Sequence, residues 1–236
     1  MTKPLQHPTM KTLTQASRFK KSHPQTLPHR KSSGFTLVEL LVVITVIGTL
    51  AALSAPAFRS VTESTHLTSA AGILADHLNL ARQTAITRNL PVEFRLYQVG
   101  SGANAPYRMV AVVIPDGGDT VPEWVSTPKL LPGSMIVDTA NANAFSSILT
   151  PGSASQAPYS RSAEDGPEVP AAARNLPFIA FTFRPDGSTD LNPDPTEPWT
   201  LSVRSERATP AGDRPANNFI TLLLDPVLGR VRPFQP

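Results

Sequence analysis

The sequence has no cysteine, so disulfides, thiolate metal sites and a cysteine nucleophile are all excluded. A domain exported without cysteines must be held by its core alone. Acidic residues are missing from positions 1–34, which carry seven Lys/Arg. Lysine is almost missing from the remainder, where Lys129 stands alone. The formal net charge of +3 therefore adds two unlike regions, +7 over 1–34 and −4 over 35–236. Basicity belongs to the first of them, so it does not argue for a nucleic-acid surface on the folded part, and no nucleic-acid partner is expected. No internal repeat is found.

Proline is plentiful, 25 of 236 residues, about double ordinary usage. Prolines interrupt helices and central strands, so the second half should consist of short strands joined by long loops. That is an all-β or α+β expectation, and the long N-terminal helix read below makes the expected class α+β.

One long apolar run stands out. Residues 34–58 read GFTLVELLVVITVIGTLAALSAPAF, broken by a single charge, Glu39, and closed by Pro56. About 20 apolar residues suffice to cross a membrane as a helix. The flank at 29–33, His-Arg-Lys-Ser-Ser, is basic, as expected for a span whose N-terminus stays in the cytoplasm. A carboxylate inside such a span costs at least about 2.5–3.5 kcal/mol, so Glu39 needs a partner and a reason. Residues 1–33 show no apolar periodicity and read as a flexible cytoplasmic leader.

Beyond Pro56 the pattern becomes one-sided. Leu67, Ala71, Leu74, Leu78, Ala81 and Ala85 form one helical stripe, with Glu63, Asp76, Asn79, Arg82 and Arg88 off it. Pro91 disfavours helical geometry at Leu90, so the helix should end near Asn89. The reading is one helix from about Phe35 to Thr87, kinked at Pro56, with residues 59–89 packing on a sheet. From Pro91 the period falls to two. Strands are expected at Val92 to Tyr97, Tyr107 to Ile114, near Trp124, at Met135 to Val137, Phe178 to Phe183, Trp199 to Val203, Phe219 to Leu224 and Val231-Arg232. Residues 150–177, rich in Pro, Ser, Ala and Gly, read as an exposed loop within a β-rich domain over 90–236.

Gly34-Phe35-Thr36-Leu37-Val38-Glu39-Leu40-Leu41 after a basic leader resembles the processing and assembly motif of type IV pilins and type II secretion pseudopilins. The resemblance implies a pilin-like fold, cleavage by a prepilin peptidase between Gly34 and Phe35 with loss of 1–34, N-methylation of Phe35, an assembly role for Glu39 and a helix bend at Pro56. The leader is longer than most in the family. Physics agrees with the role: glycine gives a protease close access to the backbone, and the new amine at Phe35 carries charge near neutral pH. Glu39 of a neighbouring subunit can pair with that amine. Further on, Phe181 to Ser188 and Ile220 to Arg232 look like the closing strands of H-type minor pseudopilins. With Ala81 to Asn89 and the Pro-Phe-Gln-Pro ending, the likeness extends to the prepilin-like group called Verru-Chthon cassette protein D.

Two plainer readings of 34–58 compete. An ordinary signal anchor leaves Glu39 unexplained. A secretory signal peptide cut after Ala57 fits Ala55-Pro-Ala57 loosely, but the apolar run exceeds the usual 7–15 residues. No enzyme is expected, since His66 and His77 have no Ser-His-Asp or Glu pair beside them. No cofactor is expected. Asp186, Asp190, Asn192 and Asp194 share a loop comparable to one that binds Ca²⁺ in G-type pseudopilins, yet their spacing matches no recognised calcium loop, and no metal is expected. The expected partners are a prepilin peptidase, other pilin-like subunits through 35–58, and an inner-membrane assembly platform. The C-terminal domain would be periplasmic, on a single-pass inner-membrane protein that can be extracted into a filament. The alternatives are a tip subunit of a type II secretion pseudopilus and a signal-anchored periplasmic binding module that never polymerises.

Overall fold

A computed structural model describes residues 34–102, 105–115, 122–139, 146–150, 158–161, 164, 169–193, 199–208 and 216–235; the side chains of 55–59, 159 and 161 lie outside the description. By contacts the chain divides into two units, Met1–Thr49 and Leu50–Pro236. Helix α1 (Leu37–Arg88) begins in the first and ends in the second. The fold class is α+β: an N-terminal helix, apolar in its first half, and a carboxy-terminal antiparallel sheet.

In the second unit α1 is amphipathic, as its spacing predicts. Leu67, Ala70, Ala71, Leu74, Leu78, Ala81 and Ala85 are all buried, while Asp76, Asn79 and Arg88 are exposed. The alanines keep the stripe thin, which lets the backbone lie close to the sheet. The helix stops at Asn89, whose φ of 55° lies in the left-handed region that asparagine tolerates.

Among the described residues ten strands follow: β1 (Val92–Gln98), β2 (Tyr107–Ile114), β3 (Glu123–Trp124), β4 (Lys129–Leu130), β5 (Met135–Val137), β6 (Tyr159–Arg161), β7 (Phe178–Phe183), β8 (Trp199–Ser205), β9 (Phe219–Leu224) and β10 (Val231–Phe234). Their order is β10-β9-β8-β5-β2-β1-β7-β6, with β3 and β4 also on β2. The sheet has two parts, β10-β9-β8-β5 and β2-β1-β7-β6, which meet through the Tyr107–Val137 pair. One face, with Phe94, Leu96, Val110, Val112, Phe181, Leu201 and Leu222, shares a core with the helix stripe. At the seam, strand is replaced by side chains. Past β5 the backbone of Asp138 donates to Ser202 O (2.8 Å), and then the hydroxyls of Ser146 and Ser147 accept from Ser202 N (3.0 Å) and Thr200 N (2.8 Å). Two donors of β8, Ser202 N and Thr200 N, are thus satisfied by serine side chains beyond the end of β5.

The structure corrects the reading of residues 150–177. Within that stretch β6 pairs with β7, and Val169 and Ala173 are buried against Tyr97, Met109, Ala111, Phe178 and Ala180 on the sheet face away from the helix. This explains a second difference. The alternation in β1 suggests a polar outer face, yet Glu93, Arg95 and Tyr97 are buried along with their apolar neighbours. Arg95 Nε donates to Glu93 Oε2 at 2.7 Å and Nη1 to Glu164 Oε2 at 2.9 Å, and its guanidinium lies 4.5 Å from the Phe178 ring centre. Burial is the largest single influence on the Arg95 pKa and would lower it, but Glu93, Tyr97 and Glu164 together outweigh it and the net shift is upward. Residues 151–157, 162–163 and 165–168 of this stretch lie outside the described residues.

The two closing turns, around 184–188 and 225–230, meet near Arg82. Thr189 N donates to Pro226 O (2.8 Å), and Arg82 Nε donates to Leu228 O (2.8 Å). Gly229 sits at φ 60°, and a Cβ there would lie 2.1 Å from Gly187 O, so the contact needs glycine.

Candidate functional site

In the first unit the helix opens two residues later than the apolar run suggests. Gly34, Phe35 and Thr36 have no regular structure, and Leu37 is the first helical residue. The reason is the side chain of Thr36. Thr36 Oγ1 accepts a hydrogen bond from Glu39 N (3.2 Å), and Thr36 O accepts from Leu40 N (3.1 Å). Thr36 is the N-cap, satisfying one of the donors that every helix start leaves open. The signal was legible: Thr-x-x-Glu ahead of an apolar run is the pattern of a capping box.

The cap sets the place of Glu39. Its carboxylate lies in the first turn, the one part of a helix where negative charge is favoured by the backbone dipoles. Part of the cost of a charge in an apolar run is thereby met within the chain. The remainder still calls for a cation.

Gly34 is informative by default. A Cβ placed on it would meet no atom within 4 Å, and its φ is not in the left-handed region. Neither backbone strain nor packing among the described residues requires glycine there. Phe35 is 75% exposed. The structure thus brings Gly34, Phe35, Thr36 and Glu39 into one open hexapeptide at the foot of the helix.

Above it, Leu37–Ser54 is a helix long and apolar enough to cross a membrane, with no residue buried. Eighteen residues rise about 27 Å, close to the thickness of a hydrocarbon core. Its hydroxyls are answered locally: Thr45 Oγ1 donates to Val42 O, Thr49 Oγ1 to Val46 O and Ser54 Oγ to Leu50 O, each at 2.8 Å. No polar side chain apart from Glu39 is left to demand water, and large side chains are exposed all round, from Val38, Leu40 and Leu41 to Leu50 and Leu53. Such a surface is consistent with membrane anchoring. The helix is continuous through Pro56.

The other sequence candidates are not drawn together. Asp186 and Asp190 line an open cleft of about 450 Å³, but each carboxylate is occupied. Asp186 accepts from Ser188 N and Oγ, bonds that hold its pKa below the ordinary value. Asp190 accepts from Thr182 N, and burial pushes its pKa up. Asp194 lies outside the described residues, among which no group of three or more His, Asp or Glu could hold a metal. His77 contacts Ile73 O at 2.7 Å within its own helix, and His66 rests against Gly133.

Comparison with known proteins bears on the same segment. Residues 29–55 match the family described as the prokaryotic N-terminal methylation motif. No curated protein matches the chain. A crystal structure of the type IV minor pilin FimU of Pseudomonas aeruginosa is similar over 74% of this chain and 92% of that one, at 13% identity and a TM-score of 0.41, a likeness too slight to carry an argument.

Proposed function

We propose that this chain, which its N-terminal motif groups with the type IV pilin and pseudopilin superfamily, is a minor, H-type-like subunit of a pilus-like or type II secretion filament. In this reading a prepilin peptidase cuts between Gly34 and Phe35, Phe35 is N-methylated, and the protein waits in the inner membrane with its β-rich domain in the periplasm. An assembly platform then passes it into a filament, where its helix packs among those of other pilin-like subunits. Pro56, which removes one hydrogen bond from the helix interior, is the point of flexure in that step. The protein acts by insertion and packing and turns over no substrate.

One observation carries the reading. A charge stands in the first turn of a fully exposed apolar helix, four residues after the position where cleavage would create an amine. In a lone monomer the carboxylate and the amine are each solvated poorly. Between neighbouring helices they neutralise each other, and that exchange favours assembly over solitary insertion. The test is Glu39→Ala with in-membrane cross-linking through residues 35–58. Normal processing with loss of the cross-linked ladders is expected; ladders equal to those of the unaltered protein would remove the role assigned to Glu39. A wild-type chain that yields no ladder at all would favour the solitary anchored module.

A further inference from the structure

We infer that Thr36 is a positioning residue for cleavage: its cap holds the start of the helix at Leu37 and so keeps the Gly34–Phe35 bond out of helical backbone. The inference rests on the cleavage reading above and adds to it a side chain which that reading does not use.

The geometry is local. Thr36 Oγ1 takes Glu39 N–H and Thr36 O takes Leu40 N–H, so both its acceptors face into the helix, while residues 34–36 are irregular. In the first turn of a helix a peptide bond has its C=O engaged and its backbone angles fixed in the helical region, and a protease cannot draw it into an extended cleft. The scissile bond lies one residue before the cap, with only Phe35 between it and Thr36. A shift of the helix start by one turn would therefore close it off.

The sequence makes such a shift a real competitor. Ser33 is a cap-competent residue three positions upstream, one helical turn away. With Thr36 capping, the helix begins after the bond. With Ser33 capping, Gly34 and Phe35 would fill the first turn. Two residues oppose that register: Thr36 by its bonds to the first turn, and Gly34 by its low helix propensity. Glycine at 34, for which the described chain shows no packing reason, thus serves the extended conformation as well as the approach of the enzyme.

The test measures the rate of conversion to the mature mass, by pulse–chase and intact mass spectrometry, of the full chain made together with a prepilin peptidase. Thr36→Ala and Thr36→Val remove the cap, and processing is expected to slow roughly fivefold, the ratio that corresponds to a typical capping contribution. Thr36→Ser and Thr36→Asn keep a capping acceptor in a different shape and are expected to stay within about twofold of the unaltered rate. If Ser and Asn slow cleavage as much as Ala does, the enzyme reads the threonine itself and the positioning role is wrong. If none of the four slows it, the cap has no part in cleavage. An unaltered chain that is not cut at Gly34–Phe35 overturns the cleavage reading instead, so the two failures are distinguishable.

Discussion

Arg95 shows what single residues contribute here. It is buried with two carboxylates, Glu93 and Glu164, and two rings, so the strand and the segment that crosses it are held by one cation. Removing one partner of a buried ion pair leaves the other uncompensated, and Arg95→Ala should cost about 3–5 kcal/mol in denaturant unfolding. A loss near zero would mean that the network is open to water. Tyr97, beside it, is pushed up to about 12 by burial, against the opposing pull of Arg95. Since the folded value is raised, the associated stability is present below the ordinary value near 10 and is lost as pH climbs through 12. An absorbance titration should show Tyr97→Phe with one late-titrating tyrosine fewer; Tyr107, also raised by burial, remains. Loss instead of a tyrosine that titrates near 10 would place Tyr97 at the surface. Gly229→Ala forces a side chain onto Gly187 O at a left-handed φ, and a loss above about 1 kcal/mol is expected.

Among elements, α1 and the central strands were legible before any coordinates, and the reasons are periodic. The 4-3-4-3-4 stripe from Leu67 to Ala85 can be buried only by a helix, and FIAFTF and FITLLL have room to be little but buried strands. Leu74→Ala, at the middle of that stripe, should lower stability by about 2–5 kcal/mol. The parts that escaped have no period. Val169 and Ala173 come from a proline-rich stretch whose burial depends on what the sheet offers beneath it. Ser146 and Ser147 bond to β8 beyond the end of β5, a fact set by tertiary geometry. Ser147→Ala would leave Thr200 N without that acceptor, with an expected loss of about 1–3 kcal/mol by thermal unfolding. At the N-terminal end the motif Gly34, Phe35 and Glu39 is read from sequence alone, and the cap at Thr36 is written there too, as Thr-x-x-Glu.

At the scale of the molecule, the charge and apolar distributions describe one itinerary. A basic, acid-free stretch precedes the apolar helix, and an acidic, almost lysine-free domain follows it. That order suits retention of the N-terminus on the cytoplasmic side and delivery of the domain to the other. The exposed helix, with its hydroxyls self-satisfied, suits lipid or neighbouring helices, and in the proposed filament Glu39 gains its full partner only from the latter. All of this depends on where the mature chain begins. Intact mass and N-terminal sequencing of the protein purified from membranes of cells that contain a prepilin peptidase will decide it. The account predicts a chain starting at Phe35 with a methylated amine; a start at Phe58, or a leader still attached, would contradict it.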